Sequence, residues 1–220
     1  MRAPEHHSCG AIGSHGIHPC PSCSRGAFSL IELLVVVGLI LIVIALMWGP
    51  SSSSYQKRQA QLCEENLQKI QVAMEIYAHD NAGKFPVTPG ARSSEDALAV
   101  LVPKYTADTS IFTCPASKDS PLSADEAMAK GKISYAYYMG RRLTENNEVL
   151  MSDRQVDERS KAAGQPIFSS TGKSPGNNHR KSGGNLLYCD GHVVACPADV
   201  PFPVVLTSGV VLLNPKLSSK

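Results

Sequence analysis

The sequence predicts an α+β chain in which a long N-terminal helix, membrane-spanning in its first half and amphipathic in its second, packs on a small antiparallel sheet. Three observations predict it. Residues 33 to 48 read LLVVVGLILIVIALMW, with no charge and no proline. Apolar residues at Cys63, Leu67, Ile70, Met74 and Tyr77 recur at three- and four-residue steps, the spacing of one helix face. Further on the pattern shortens to brief alternating runs separated by turn residues, with Asp190-Gly191 between two of them as a hairpin signal.

The bulk numbers exclude little. The chain has 220 residues and a formal net charge of +2, enough for one modest domain and an appendage. Nothing in that balance points to nucleic acid. The asymmetry is more informative: apolar residues concentrate between Ala27 and Trp48, and beyond Pro50 the composition is that of an ordinary domain rich in Ser, Gly, Pro and Asn. Of seven Cys, Cys9, Cys20 and Cys23 precede the apolar run, and Cys63, Cys114, Cys189 and Cys196 follow it.

Residues 1 to 27 read as a leader. Its Cys20-Pro21-Ser22-Cys23 lies near His15 and His18, which are zinc-ligand types. The stretch lacks a foldable partner segment, so no metal is assigned there. Residues 28 to 50 are expected to form the transmembrane or assembly helix, since the apolar stretch with Ala27 to Ile31 added reaches the roughly 20 residues a bilayer core requires. No small-x-small site follows it, as a secretory signal would need. Glu32 stands inside this run; a carboxylate in hydrocarbon is costly and calls for a partner.

These residues carry a family mark. Arg25-Gly26-Ala27-Phe28-Ser29-Leu30-Ile31-Glu32-Leu33-Leu34-Val35-Val36 resembles the N-terminal motif of type IV pilins and type II secretion pseudopilins. The resemblance implies a prepilin peptidase as partner, cutting at the basic, Gly-ended edge of the leader, and N-methylation of the new first residue. Two bonds compete. Cutting between Ala27 and Phe28 makes Glu32 the fifth mature residue, as in the family, but places Ala where the family prefers Gly. Cutting after Gly26 restores the Gly and makes Glu32 the sixth. The charge-pairing register favours the Ala27–Phe28 bond. The freed amine of Phe28 and Glu32 of a neighbouring copy could then neutralise one another in a fibre, so burial of Glu32 becomes favourable on assembly. The resemblance further implies copies of itself or related pilins as partners and a leader inside the cell. It places the helix once through the inner membrane and the C-terminal domain outside the cytoplasm, assembled in a periplasmic or surface fibre. The Lys and Arg on either side of the run do not fix that orientation themselves.

Residues 51 to 220 form the pilin-like globular domain. Gly49-Pro50 and Ser51 to Ser54 predict a kink or break, after which the amphipathic helix runs from Tyr55 to a stop at Asp80-Asn81-Ala82-Gly83. Ser94-Glu95-Asp96 starts a short helix over Ala97 to Val102, ended by Pro103. Strands are expected at Ile111 to Thr113, Ile133 to Tyr138 and Val149 to Met151. A hairpin joins Asn185 to Cys189 with His192 to Cys196 through a two-residue Asp190-Gly191 turn. A weaker one joins Val204 to Leu206 with Val210 to Leu213 around Ser208-Gly209.

Asn178-His179, Gly183-Gly184-Asn185 and Asp190-Gly191-His192 resemble the C-terminal segment of many bacterial pilin-like proteins, in which His, nine residues, then Asp-Gly recur. Here ten residues separate His179 from Asp190. Glu64 to Pro86, Phe112-Thr113-Cys114-Pro115 and Ser134-Tyr135-Ala136-Tyr137 resemble the same family, so the likeness extends from residue 25 to about residue 195. His179, Asp190 and His192, with Asp153, are possible ligands for calcium or zinc. A tight turn accounts for Asp190 and Gly191 and a loop anchor for His179, so neither metal nor cofactor is assigned. No catalytic residues stand out. Gly172-Lys173-Ser174 lacks the upstream Gly of a phosphate loop, and no nucleophile sits in a recognisable elbow.

The four Cys after the apolar run allow three pairings. A two-residue turn puts Cys189 and Cys196 on one sheet face, roughly 13 Å apart by strand rise, too far for a disulfide. Cys63 and Cys114 are candidates for each other, against four free buried thiols. The expected function is a structural subunit of a pilus or secretion pseudopilus; the alternative is a membrane-tethered, non-polymerising binding module.

Overall fold

The computed structural model describes residues 29–47, 51–123, 128 and 131–217. The chain divides into two compact units, Met1–Gly49 and Pro50–Lys220. In the first, helix α1 covers Leu30–Met47. Its sequence is apolar on every side, so no face is set apart for a core. The leader, the Gly26, Ala27 and Phe28 positions and Gly49-Pro50 lie outside the described residues.

The second unit opens with helix α2, Ser51–Asp80. The expected stripe is its buried face: Cys63, Leu67, Ile70 and Met74 are fully enclosed, joined by Ala73 and Ala78. Gln61, Glu65, Gln68 and Lys69 point outward. The helix stops where its last carbonyls find other donors: Ala82 turns left-handed at φ 55°, and the Gly83 amide donates to Ala78 O at 2.8 Å. Helix α3, Ser94–Leu98, is capped by Ser93, whose hydroxyl accepts from the Asp96 amide.

Two expectations are overturned here. The N-terminal part is not one long helix with a membrane-spanning half packed on a small sheet, because α1 and α2 are separate elements. No helix among the described residues is long and apolar enough to cross a membrane, so the single-pass inner-membrane placement is not supported. The 18 residues of α1 rise about 27 Å, short of the roughly 30 Å hydrocarbon core. α2 has the length, with 30 residues, but carries Lys57, Arg58, Glu64, Glu65, Lys69 and Glu75 along it.

The sheet has five antiparallel strands: β1 Tyr135–Met139, β2 Val149–Asp153, β3 Gly184–Tyr188, β4 Val193–Cys196 and β5 Val211–Leu213. Their spatial order is β4-β3-β2-β1-β5. Alternation along β1 feeds two cores. Tyr135 and Tyr137 join Leu67, Ile70 and Met74 of α2 in one, with Leu187 and Leu213. Ala136 and Tyr138 join Ile167, Phe168, Leu186, Val200 and Leu212 in the other. Loop segments thus cover the face away from α2, which explains why β1 and β2 are buried on both sides.

Some strand expectations need correction. Ile111 to Thr113 is no strand: Thr109–Phe112 forms a 3-10 turn, started by the Asp108 carboxylate accepting from the Ser110 amide. The hairpin around Ser208-Gly209 does not form. Val204 bridges to Lys161, and β5 pairs with β1 instead. The Asp190-Gly191 hairpin forms, but through a three-residue loop. Tyr188 N donates to His192 O, Gly191 N donates to Tyr188 O, and Gly191 takes φ 90°, the left-handed place that closes such a loop. The register moves by one, pairing Gly184 with Cys196. A one-residue slip changes faces: Cys189 enters the core under α2 and Cys196 the opposite one.

Candidate functional site

Four separate pieces of the second unit bring chemically active side chains to one buried point. Cys63 comes from the middle of α2, Cys114 from the loop after the 3-10 turn, Asp153 from the end of β2 and His179 from the loop before β3. All four are buried, and their ligand-capable atoms lie within 4.8 Å of one another. Cys63 and Cys114 are joined by a disulfide, with Cα atoms 5.2 Å apart. His179 Nε2 faces both the Asp153 carboxylate, 3.1 Å from Oδ2, and the Cys114 sulfur at 3.6 Å.

Asparagines hold the cluster in place. Asn178 Nδ2 donates to Asp153 Oδ1 at 2.8 Å and to Ser134 O at 2.7 Å. The Asn185 amide donates to Asp153 Oδ2 at 2.8 Å. The side chains of Asn185 and Asn66 tie α2 to its surroundings, through Ala60 O and Thr113 O. Gly183 lets β3 enter: at φ +89°, a Cβ there would stand 2.0 Å from Cys196 O. The Asn178-His179 and Gly183-Gly184-Asn185 segments are therefore the frame of this point. Beside it, the buried Arg154 guanidinium pairs with Asp119 at 2.9 Å.

The electrostatics follow from burial. For His179, burial alone pushes the imidazole down, but the charge of Asp153 and its hydrogen bond together outweigh it, and the net shift is upward. Tyr135 is pushed well up by burial and by the Asp153 carboxylate. Cys189 and Cys196 are free and buried. Burial, opposed for Cys189 by Arg141, raises these thiols to about 12 and about 11, so both stay protonated and unreactive.

The other residues singled out in the sequence fall elsewhere. Asp190 does not join His179. It sits exposed on the β3–β4 turn beside His192, whose ring stacks on Tyr188 with centroids 4.2 Å apart. Gly191 is the turn former. Glu32 is exposed in the first turn of α1. The meeting of Asp153 and His179 with the two sulfurs was not readable from spacing, because each comes from a different element. Comparison with protein-family models, curated proteins and solved structures finds no match.

Proposed function

We propose that the protein is a structural subunit of a pilus-like or type II secretion pseudopilus fibre, matured by a prepilin peptidase and assembled through α1 with copies of itself or related pilins. One observation supports it above the rest: α1 exposes apolar side chains around its whole circumference, from Leu30 at 80% and Ile31 at 64% to Ile44 at 39% and Leu46 at 77%. Such a surface is stable only when covered, and side-by-side packing of the same helix from neighbouring copies covers it in register. The outward face of α2 adds Tyr55, Leu62, Val72 and Ile76, which lie within one stripe at helical spacing.

Glu32 gives this packing its direction. Exposed among Leu and Ile in the first turn of α1, it resists burial unless a cation arrives with it. The amine freed by cleavage before Phe28, carried by the adjacent copy, is such a cation. A helix that pairs in this way adds to a fibre end and does not collapse into a random apolar aggregate. Glu32→Ala in the full chain, expressed with an active prepilin peptidase, tests the reading. Fibre yield should fall to background while processing and the fold of the second unit persist. Unchanged fibre yield would sink it, and no fibre from the parent chain would favour a non-polymerising binding module.

A further inference from the structure

The quartet beneath the middle of α2 is more than a covalent staple. Two sulfurs, an imidazole nitrogen and a carboxylate oxygen are the donor types of a closed tetrahedral zinc centre, and all four ligand atoms already lie within 4.8 Å of one another. Around a tetrahedral zinc with Zn–S near 2.3 Å, the two sulfurs would stand roughly 3.8 Å apart. His179 Nε2, the atom that would bind, already points at both Asp153 and Cys114. The supporting shell is present as well. Asn178 and the Asn185 amide hold the two oxygens of Asp153, the kind of second contact that orients a ligating carboxylate.

The geometry points to a redox-exchanged site: with the Cys63–Cys114 disulfide reduced, Cys63, Cys114, His179 and Asp153 bind one divalent zinc ion. The balance is simple. A dithiol reductant gives two electrons and two protons to the disulfide, becoming a disulfide itself and leaving two cysteine thiols. Zinc then displaces both thiol protons and takes ionised Asp153 and neutral His179 as its other ligands, the imidazole keeping one proton on Nδ1 and an imidazolium releasing its Nε2 proton to solvent. In both states α2 stays fastened to the loop of Cys114, by a covalent bond in one and by the metal in the other, and the metal ties in the end of β2 through Asp153 as well. Four protein ligands, all buried, fill a tetrahedral zinc and leave no open coordination position for a substrate, so the centre is structural.

The test uses the full chain carrying Cys9→Ser, Cys20→Ser and Cys23→Ser, which removes the leader sulfurs as competing ligands. The chain is reduced with a phosphine, which becomes its oxide with oxygen from water, and titrated with cobalt or zinc alone. One cobalt per chain, with a thiolate-to-metal charge-transfer band, is expected after reduction and none before it. His179→Gln and Asp153→Asn should each weaken binding at least about tenfold, with near-ultraviolet circular dichroism reporting that the fold is kept. The oxidised chain is an internal control that needs no variant. A reduced, folded chain that binds no metal, or one whose binding is indifferent to both substitutions, overturns the proposal. Equal binding by the oxidised chain does so too.

Discussion

Replacing both bridged cysteines, as Cys63→Ala with Cys114→Ala, should be among the most damaging changes this fold can suffer. The bond closes a loop with a sequence separation of 51. The chain-entropy relation gives that loop about 14 cal/mol/K in the unfolded ensemble, or about 4 kcal/mol at room temperature. For a domain of this size each kcal/mol moves the melting temperature by roughly 2–4 °C, so a drop of roughly 8–16 °C is expected. Both sulfurs are also buried against Leu67, Ile70 and Phe112 in the core beneath α2, and their loss adds to the deficit. The assay is urea unfolding of the oxidised parent and the double variant, followed by circular dichroism and by tyrosine fluorescence. A deficit below about 1 kcal/mol with an unchanged denaturant slope would refute the reasoning, because the bond would then not constrain the unfolded chain.

Stability should also depend on pH through His179. Its folded value lies above the ordinary one, so its contribution is complete below about pH 6.5 and is lost as pH rises through the folded value. Asp153→Asn should abolish that dependence, as unfolding curves across this range would show, with the imidazole titration followed by nuclear magnetic resonance. Gly183→Ala should unfold the domain far more readily than Gly83→Ala. Both glycines have positive φ, but the new methyl meets Cys196 O at 2.0 Å in the first case and nothing within 4 Å in the second. Thermal melts of the two variants check this, and equal losses would argue against the close approach of β3 and β4.

What the sequence revealed of this fold was local. The Cys63-to-Met74 stripe is local in the chain and became the buried face of α2. The Ser94-Glu95-Asp96 start was legible because capping is decided within four residues, although the cap proved to be Ser93. Asp190-Gly191 marked its turn, but a two-residue and a three-residue loop share that dipeptide, and only the φ of Gly191 separates them. That single step moved Cys189 and Cys196 to opposite cores. Val204 to Leu206 looked like a hairpin partner of β5 because nearby sequence favours local pairing; the β1 edge offered β5 a better one. The apolar run was legible as a helix, and its extent as 18 residues was not. At the candidate site, Cys63, Cys114 and His179 were each marked by type, and Asp153 was noticed as a possible neighbour of His179. Their convergence depends on α2 crossing the ends of β2 and β3. Pairwise spacing along the chain holds no trace of such a contact.

The proposed maturation at the N-terminus and assembly through α1 can be tested together on the fibre itself. Fibres harvested from cells that make the protein together with an active prepilin peptidase can be dissolved and the subunit mass measured intact. The expected subunit begins at Phe28, or at Ala27 if the neighbouring bond is cut, and carries one added methyl group on its first residue. A fibre fraction without this protein, or a subunit that still retains Met1 through Gly26, would contradict it.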